Sequence, residues 1–163
     1  MKLIYTIAVS FIIILSSILV NANIDKINAL VHLEKPEIIY ENEVPQINET
    51  EITYLMHALG GENLHKPPFT DNYPQIEVST SQKLFTVYVV DGEIQTYLGK
   101  APDPDLQIRL NRDTLITIIT SGDPKASTKE AISKQLVGVS IISDNTELFL
   151  KGYLEIYDTL KPQ

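Results

Sequence analysis

Cysteine is absent from the 163 residues, which excludes a disulfide scaffold, thiolate metal centres and a cysteine nucleophile. Basic residues are few. The chain has 13 Lys and Arg against 21 Asp and Glu, for a formal net charge of -8 and an isoelectric point near 4.8. No basic patch is visible along the sequence, which excludes a nucleic-acid role of the electrostatic kind, and an anionic membrane surface would on average repel so acidic a chain. Catalytic signatures are missing too. There is no G-x-S-x-G, S-x-x-K, P-loop, G-x-G-x-x-G or H-E-x-x-H, so nothing points to a hydrolase, a nucleotide enzyme or a zinc peptidase. No cofactor is implied.

What is present begins with an apolar leader. From Leu3 to Val20 the chain carries no charge, and only Tyr5, Thr6, Ser10, Ser16 and Ser17 interrupt the aliphatics. As a helix this run would reach roughly 27 Å, close to the roughly 30 Å hydrocarbon core of a bilayer. Two fates are open. The length suits an uncleaved signal anchor, with residues 3–20 in the membrane. Val20-Asn21-Ala22 also suits signal-peptide cleavage after Ala22. Lys2 and the α-amino group precede the run and Asp25 follows it, which places the C-terminal part outside. The expected location is extracytoplasmic, membrane-anchored or secreted.

Residues 23–47 read as an extended spacer, with a short helix over Asp25–Leu33 ended before Pro36. The remainder, 48–163, suffices for one domain with one core. Asn48-Glu49-Thr50-Glu51 has the form of a capping box opening a helix through Ile52, Leu55, Met56 and Leu59, which Gly60-Gly61 stops. The same Asn48-Glu49-Thr50 is an N-glycosylation sequon. Period-two patterns follow at Ile76–Ser79 and Leu84–Val90. A hairpin turn at Asp91-Gly92 leads to Glu93–Leu98, and Leu106–Leu110 follows a polar turn over Gly99–Asp105. Asn111 caps a helix to Ser121, Gly122-Asp123-Pro124 breaks the chain, and a second helix runs from Ser127 or Thr128 to about Gln135. Val139–Ser143 reads as a last strand. Leu148, Phe149, Gly152, Tyr153, Ile156, Tyr157 and Leu160 form a helical stripe capped by Asp144 and ended by Pro162. This order predicts an α+β domain with an antiparallel sheet under amphipathic helices.

Side chains suited to chemistry are sparse. His32, His57 and His65 lack metal-ligand spacing. Asp103-Pro104-Asp105 could touch a calcium ion but lacks the further oxygen ligands of a dedicated loop, and reads as a turn. No metal site is expected. The candidate that remains is the apolar interior, where Phe85, Val87, Leu106, Ile108, Leu115, Ile119, Phe149, Tyr153 and Tyr157 would line either a filled core or a ligand cavity. Periodicity does not separate the two.

From Leu84 onward the order of features resembles the sterol carrier protein 2 (SCP-2) family. Val89-Val90-Asp91-Gly92-Glu93-Ile94 is similar to its early hairpin. Asp103–Leu110 and Asp113–Ile119 are similar to a strand and the helix it leads into, and Gly122-Asp123-Pro124 to a Gly-Asx-Pro-like break. Gly138–Ser143 and the run Glu147–Tyr157 resemble its last strand and helix, in the manner of small membrane-anchored archaeal members. The resemblance implies a five-stranded, mainly antiparallel sheet with an apolar tunnel for lipids or acyl chains. The leader and spacer have no counterpart in the usual soluble members. Two functions are therefore expected: non-enzymatic binding of a lipid or other apolar ligand, or, with a filled core, a structural module that meets a protein partner at the cell surface.

Overall fold

A computed structural model describes residues 34–161. The leader, the helix expected over Asp25–Leu33 and His32 lie outside the described residues.

The second half of the expected spacer is largely exposed and touches the domain at a few points. Tyr40–Glu41 (β1) pairs with Val44–Pro45 (β2), Ile38 packs against the core, and Ile47 is buried. The Lys35 ammonium donates to the carbonyls of Thr120 and Ser121. Ile38, Ile47 and Lys35 thus hold an otherwise exposed segment to the domain.

Glu49–Ala58 (α1) begins at the expected box: Asn48 Oδ1 accepts from the Thr50 amide at 2.8 Å, and Glu51 Oε2 accepts from the Asn48 amide at 2.8 Å. Each partner satisfies an amide that the helix leaves free. Gly60, at φ +86, turns the chain out of the helix. Gln75–Ser79 (β3), Leu84–Val90 (β4) and Glu93–Leu98 (β5) form a meander. Asp91 and Gly92 both have positive φ in the tight turn between β4 and β5, as a type I′ turn requires.

Leu106–Leu110 (β6) then lies on the other side of β3, giving the strand order β5-β4-β3-β6-β7. Here the structure corrects the expectation of a mainly antiparallel sheet: the sheet is mixed, because β3 and β6 run parallel, with Ile76 opposite Leu106 and Val78 opposite Ile108. The cause is the segment Gly99–Asp105. It leaves the Leu98 end of β5, where Thr86 Oγ1 donates to the Gly99 carbonyl at 3.0 Å. It ends where the Asp105 amide donates to the Gln75 carbonyl at 2.8 Å. It carries the chain back to the starting end of β3, so β6 must set out in the same direction.

Asn111 caps Arg112–Thr120 (α2), accepting from the Thr114 amide. The next helix, Pro124–Ser133 (α3), starts earlier than expected because Asp123 is its N-cap and Pro124 its first residue. Both suit the first turn of a helix, where a proline costs no hydrogen bond. Val137–Ile141 (β7) pairs antiparallel with β6, so Gly138 lies within the strand. The long terminal helix is in fact two, Asn145–Leu150 (α4) and Leu154–Leu160 (α5), broken at Gly152 with φ +81. A Cβ there would come within 3.0 Å of the Asn63 carbonyl oxygen.

Period-two alternation puts Ile76, Val78, Phe85, Val87, Leu106, Ile108 and Val137 on one sheet face. They join Ile52, Leu55, Met56, Leu115, Ile118 and Ile119 of the helices in one buried cluster. Each such side chain contributes about 1.5–3 kcal/mol on burial.

Candidate functional site

The C-terminal third of the domain is hollow. The face of β7 bearing Val137, Val139 and Ile141, together with Leu106 of β6, looks across to α4 and α5. There Leu148, Tyr153, Ile156, Tyr157 and Leu160 recur at helical spacing. Ile132, Ser133 and Gln135, at the end of α3, and Lys161 complete the wall of a cavity of about 610 Å³. That volume falls within the roughly 300–1,000 Å³ typical of small-molecule sites. A second hollow of about 260 Å³ lies between α2 and α3 and is lined by Asp113, Glu130, Lys134 and threonines.

Behind the cavity wall sits a buried ion pair. Lys151 and Asp105 are each only 1% exposed, with the ammonium 2.6 Å from Asp105 Oδ1. Lys151 also donates to Asn72 Oδ1 at 2.9 Å and lies 3.0 Å from Glu147 Oε1. Asp105 accepts further from Ser143 Oγ at 2.7 Å, the Gln75 amide at 2.8 Å and the Tyr153 hydroxyl at 3.0 Å. Buried charges are tolerable only when paired and hydrogen-bonded in this way. The break at Gly152 is what lets Lys151 and Tyr153 reach the same carboxylate. Burial pushes the Tyr153 hydroxyl well above the ordinary tyrosine range, and the Asp105 charge and its hydrogen bond push it further the same way. Tyr153 therefore stays neutral and donating while its ring lines the cavity.

Of the nine residues picked from sequence, Leu106, Tyr153 and Tyr157 line the cavity. Phe85, Val87, Ile108, Leu115 and Ile119 are buried in the packed cluster instead, and Phe149 is 64% exposed. The helix break explains Phe149: once α4 and α5 part, it no longer shares a face with Tyr153 and Tyr157. Sequence reasoning missed Ile132, Val137 and Val139 on the far wall. Leu148, Ile156 and Leu160 were within the stripe but not chosen. Nothing in the pattern marked Asp105, read as a turn residue, or Lys151 as buried partners.

The other candidates take no part. His57 Nδ1 lies 3.6 Å from Glu62 Oε2, and His65 is exposed, with Nδ1 3.2 Å from the Lys66 carbonyl. Among the described residues no group of three His, Cys, Asp or Glu side chains could hold a metal ion, and no helix is long and apolar enough to cross a membrane. Asn48 is half-buried at the start of α1.

No protein-family model matches the chain, and no curated protein matches it. Solved structures that it is similar to include the stereoselective inverting sec-alkylsulfatase Pisa1 from Pseudomonas sp., at 14% identity over 72% of this chain with a TM-score of 0.41. The chain spans only 17% of that sulfatase. The ubiquinone synthesis protein UbiJ-SCP2 matches at 11% identity over 64% of this chain and 78% of its own, TM-score 0.37. Sterol carrier protein 2 like 2 from Aedes aegypti matches at 13% identity over 61% and 94%, TM-score 0.31. These are distant likenesses, and the cavity is read from its own geometry.

Proposed function

We propose that this domain binds a lipid or another apolar small molecule in the cavity between β7 and α5, and that it catalyses no reaction on it. The observation that carries the reading is a hollow of about 610 Å³ with a mainly aliphatic wall, beside a cluster of buried apolar side chains. Such a wall rewards burial of apolar surface. A chain of about ten methylenes would gain about 8 kcal/mol at about 0.8 kcal/mol each. That lies on the micromolar scale, and ordering costs subtract from it. The leader at residues 3–20 supports an extracytoplasmic setting, anchored or secreted, in which such a ligand would come from the membrane.

The test is native mass spectrometry of the full chain purified from its own membranes, followed by lipid extraction. A bound apolar species of defined mass is expected. Val139→Trp, which places bulk in the cavity from a half-buried position, should lose most of it while keeping its far-ultraviolet dichroism. A wild-type chain that carries no ligand and takes up none offered would sink the proposal.

One observation favours the second reading, a surface that meets a protein partner: Ile142, Phe149, Leu150 and Leu154 are all exposed, and apolar side chains gathered on a surface mark contact sites. Co-purification of one envelope protein, lost in Phe149→Asp, would support it.

A further inference from the structure

The cavity is apolar in its depth but not at its rim. Of the residues that line it, Lys161 alone carries a full charge, and no Asp or Glu lines it, although acidic residues outnumber basic ones in the chain 21 to 13. Lys161 follows the last turn of α5 and is exposed. Its ammonium lies 5.9 Å from the centre of the Tyr157 ring, which is another wall residue. A cation over an aromatic face is held there by the ring's quadrupole, so the charge is kept at the mouth. Among the described residues no carboxylate pairs with it; the ion pairs formed nearby go to Lys125 and Lys134. Gln135, also on the wall, adds an amide able to donate, whereas the Ser133 hydroxyl already gives its proton to the Glu130 carbonyl.

We infer that the ligand is an anionic amphiphile, bound tail first, with its carboxylate or phosphate head at Lys161 and hydrogen-bonded by the Gln135 amide. Lys161 is then the residue that selects by charge, and a neutral amphiphile of equal tail length is the weaker ligand. The chemistry is shared by a free acid and a phospholipid, which differ in the head offered. The inference rests on the cavity being a ligand site, as proposed above. The lysine is exposed, so the selectivity is modest: ion pairs in water are worth up to about 1 kcal/mol, or roughly a fivefold ratio, and salt weakens them.

The experiment compares dodecanoate, dodecyl phosphate and dodecanol by calorimetry. It uses the full chain in phosphatidylcholine nanodiscs, with empty discs subtracted. At low salt the two anions should bind about two- to fivefold more tightly than the alcohol. Lys161→Gln should erase that ratio, and Lys161→Glu should invert it. The anion that loses more on substitution assigns the source, acid or phospholipid. Equal binding of acid and alcohol by the wild type, or an unchanged ratio in Lys161→Gln, would overturn the role of Lys161 while leaving the cavity reading intact. Binding of none of the three would overturn both.

Discussion

Substituting Asp105 by alanine tests how the cavity wall is held. In the folded chain this carboxylate accepts from Lys151, Ser143, the Gln75 amide and Tyr153 at 2.6–3.0 Å. Its loss leaves an ammonium that is 1% exposed with only Asn72 and Glu147 as partners, and strips a half-buried amide, a serine hydroxyl and a buried phenol of theirs. Breaking a buried ion pair from one side costs about 3–5 kcal/mol, out of a total stability of about 5–15 kcal/mol for a domain. With a urea dependence of about 2 kcal/mol per molar, the unfolding midpoint should fall by about 2 M. Far-ultraviolet dichroism is the readout, and the chain's lack of tryptophan makes tyrosine emission the second probe. Lys151→Met should cost a similar amount, because it strands the acid instead of the base. The pair Asp105→Leu with Lys151→Met should cost far less than the sum, since neither charge is then left alone. A single-substitution cost under about 1 kcal/mol, or strict additivity in the double variant, would refute the claim that this pair fastens α4 and α5 to the sheet.

Gly152→Ala, at φ +81 with its new Cβ 3.0 Å from the Asn63 carbonyl oxygen, should cost about 1–3 kcal/mol, read as a lowered urea midpoint. Tyr153→Phe should change the alkaline limb of stability. The folded-state hydroxyl titrates well above its unfolded value of about 10, so above pH 10 the unfolded chain holds fewer protons and stability falls as pH rises, by up to about 1.4 kcal/mol per unit for this group. Below pH 10 that contribution is fully present. In melts taken at pH 9 to 11 the phenylalanine variant should show a shallower decline, and an identical slope would count against the buried-phenol account.

Local chemistry was legible where one residue decides the outcome. The Asn48 box, the Asp91-Gly92 turn and the Asn111 cap each fix a boundary through a hydrogen bond or a backbone angle that few other residues supply. The parallel pairing of β3 with β6 was not legible, because nothing in Gly99–Asp105 states which end of the sheet it must reach. The terminal stripe was read as one helix because Gly152 fits the apolar period as well as it fits a break. Only the contact of Asn63 with Gly152 and the pull of Asp105 on both flanks decide between them. The cavity was legible in part. Tyr153 and Tyr157 lie on the stripe, but whether an apolar position faces packed neighbours, as Phe85 and Leu115 do, or empty space, as Val139 does, is settled by distances between elements.

Asp105 lies 46 residues before Lys151, which neutralises it, and 48 before Tyr153, which donates to it. During synthesis the acid is made long before Lys151 and Tyr153. A nascent or prematurely ended chain that already forms β3 through β6 would hold a carboxylate with three of its four partners missing, and burying it would be unfavourable. The segment Gly99–Asp105 and the end of β3 that it meets therefore gain their full hold only once Lys151 and Tyr153 have emerged. The ion pair thus ties the hold on the early sheet to the arrival of the last turns, and a chain ended before Lys151 should unfold at lower urea than the full one.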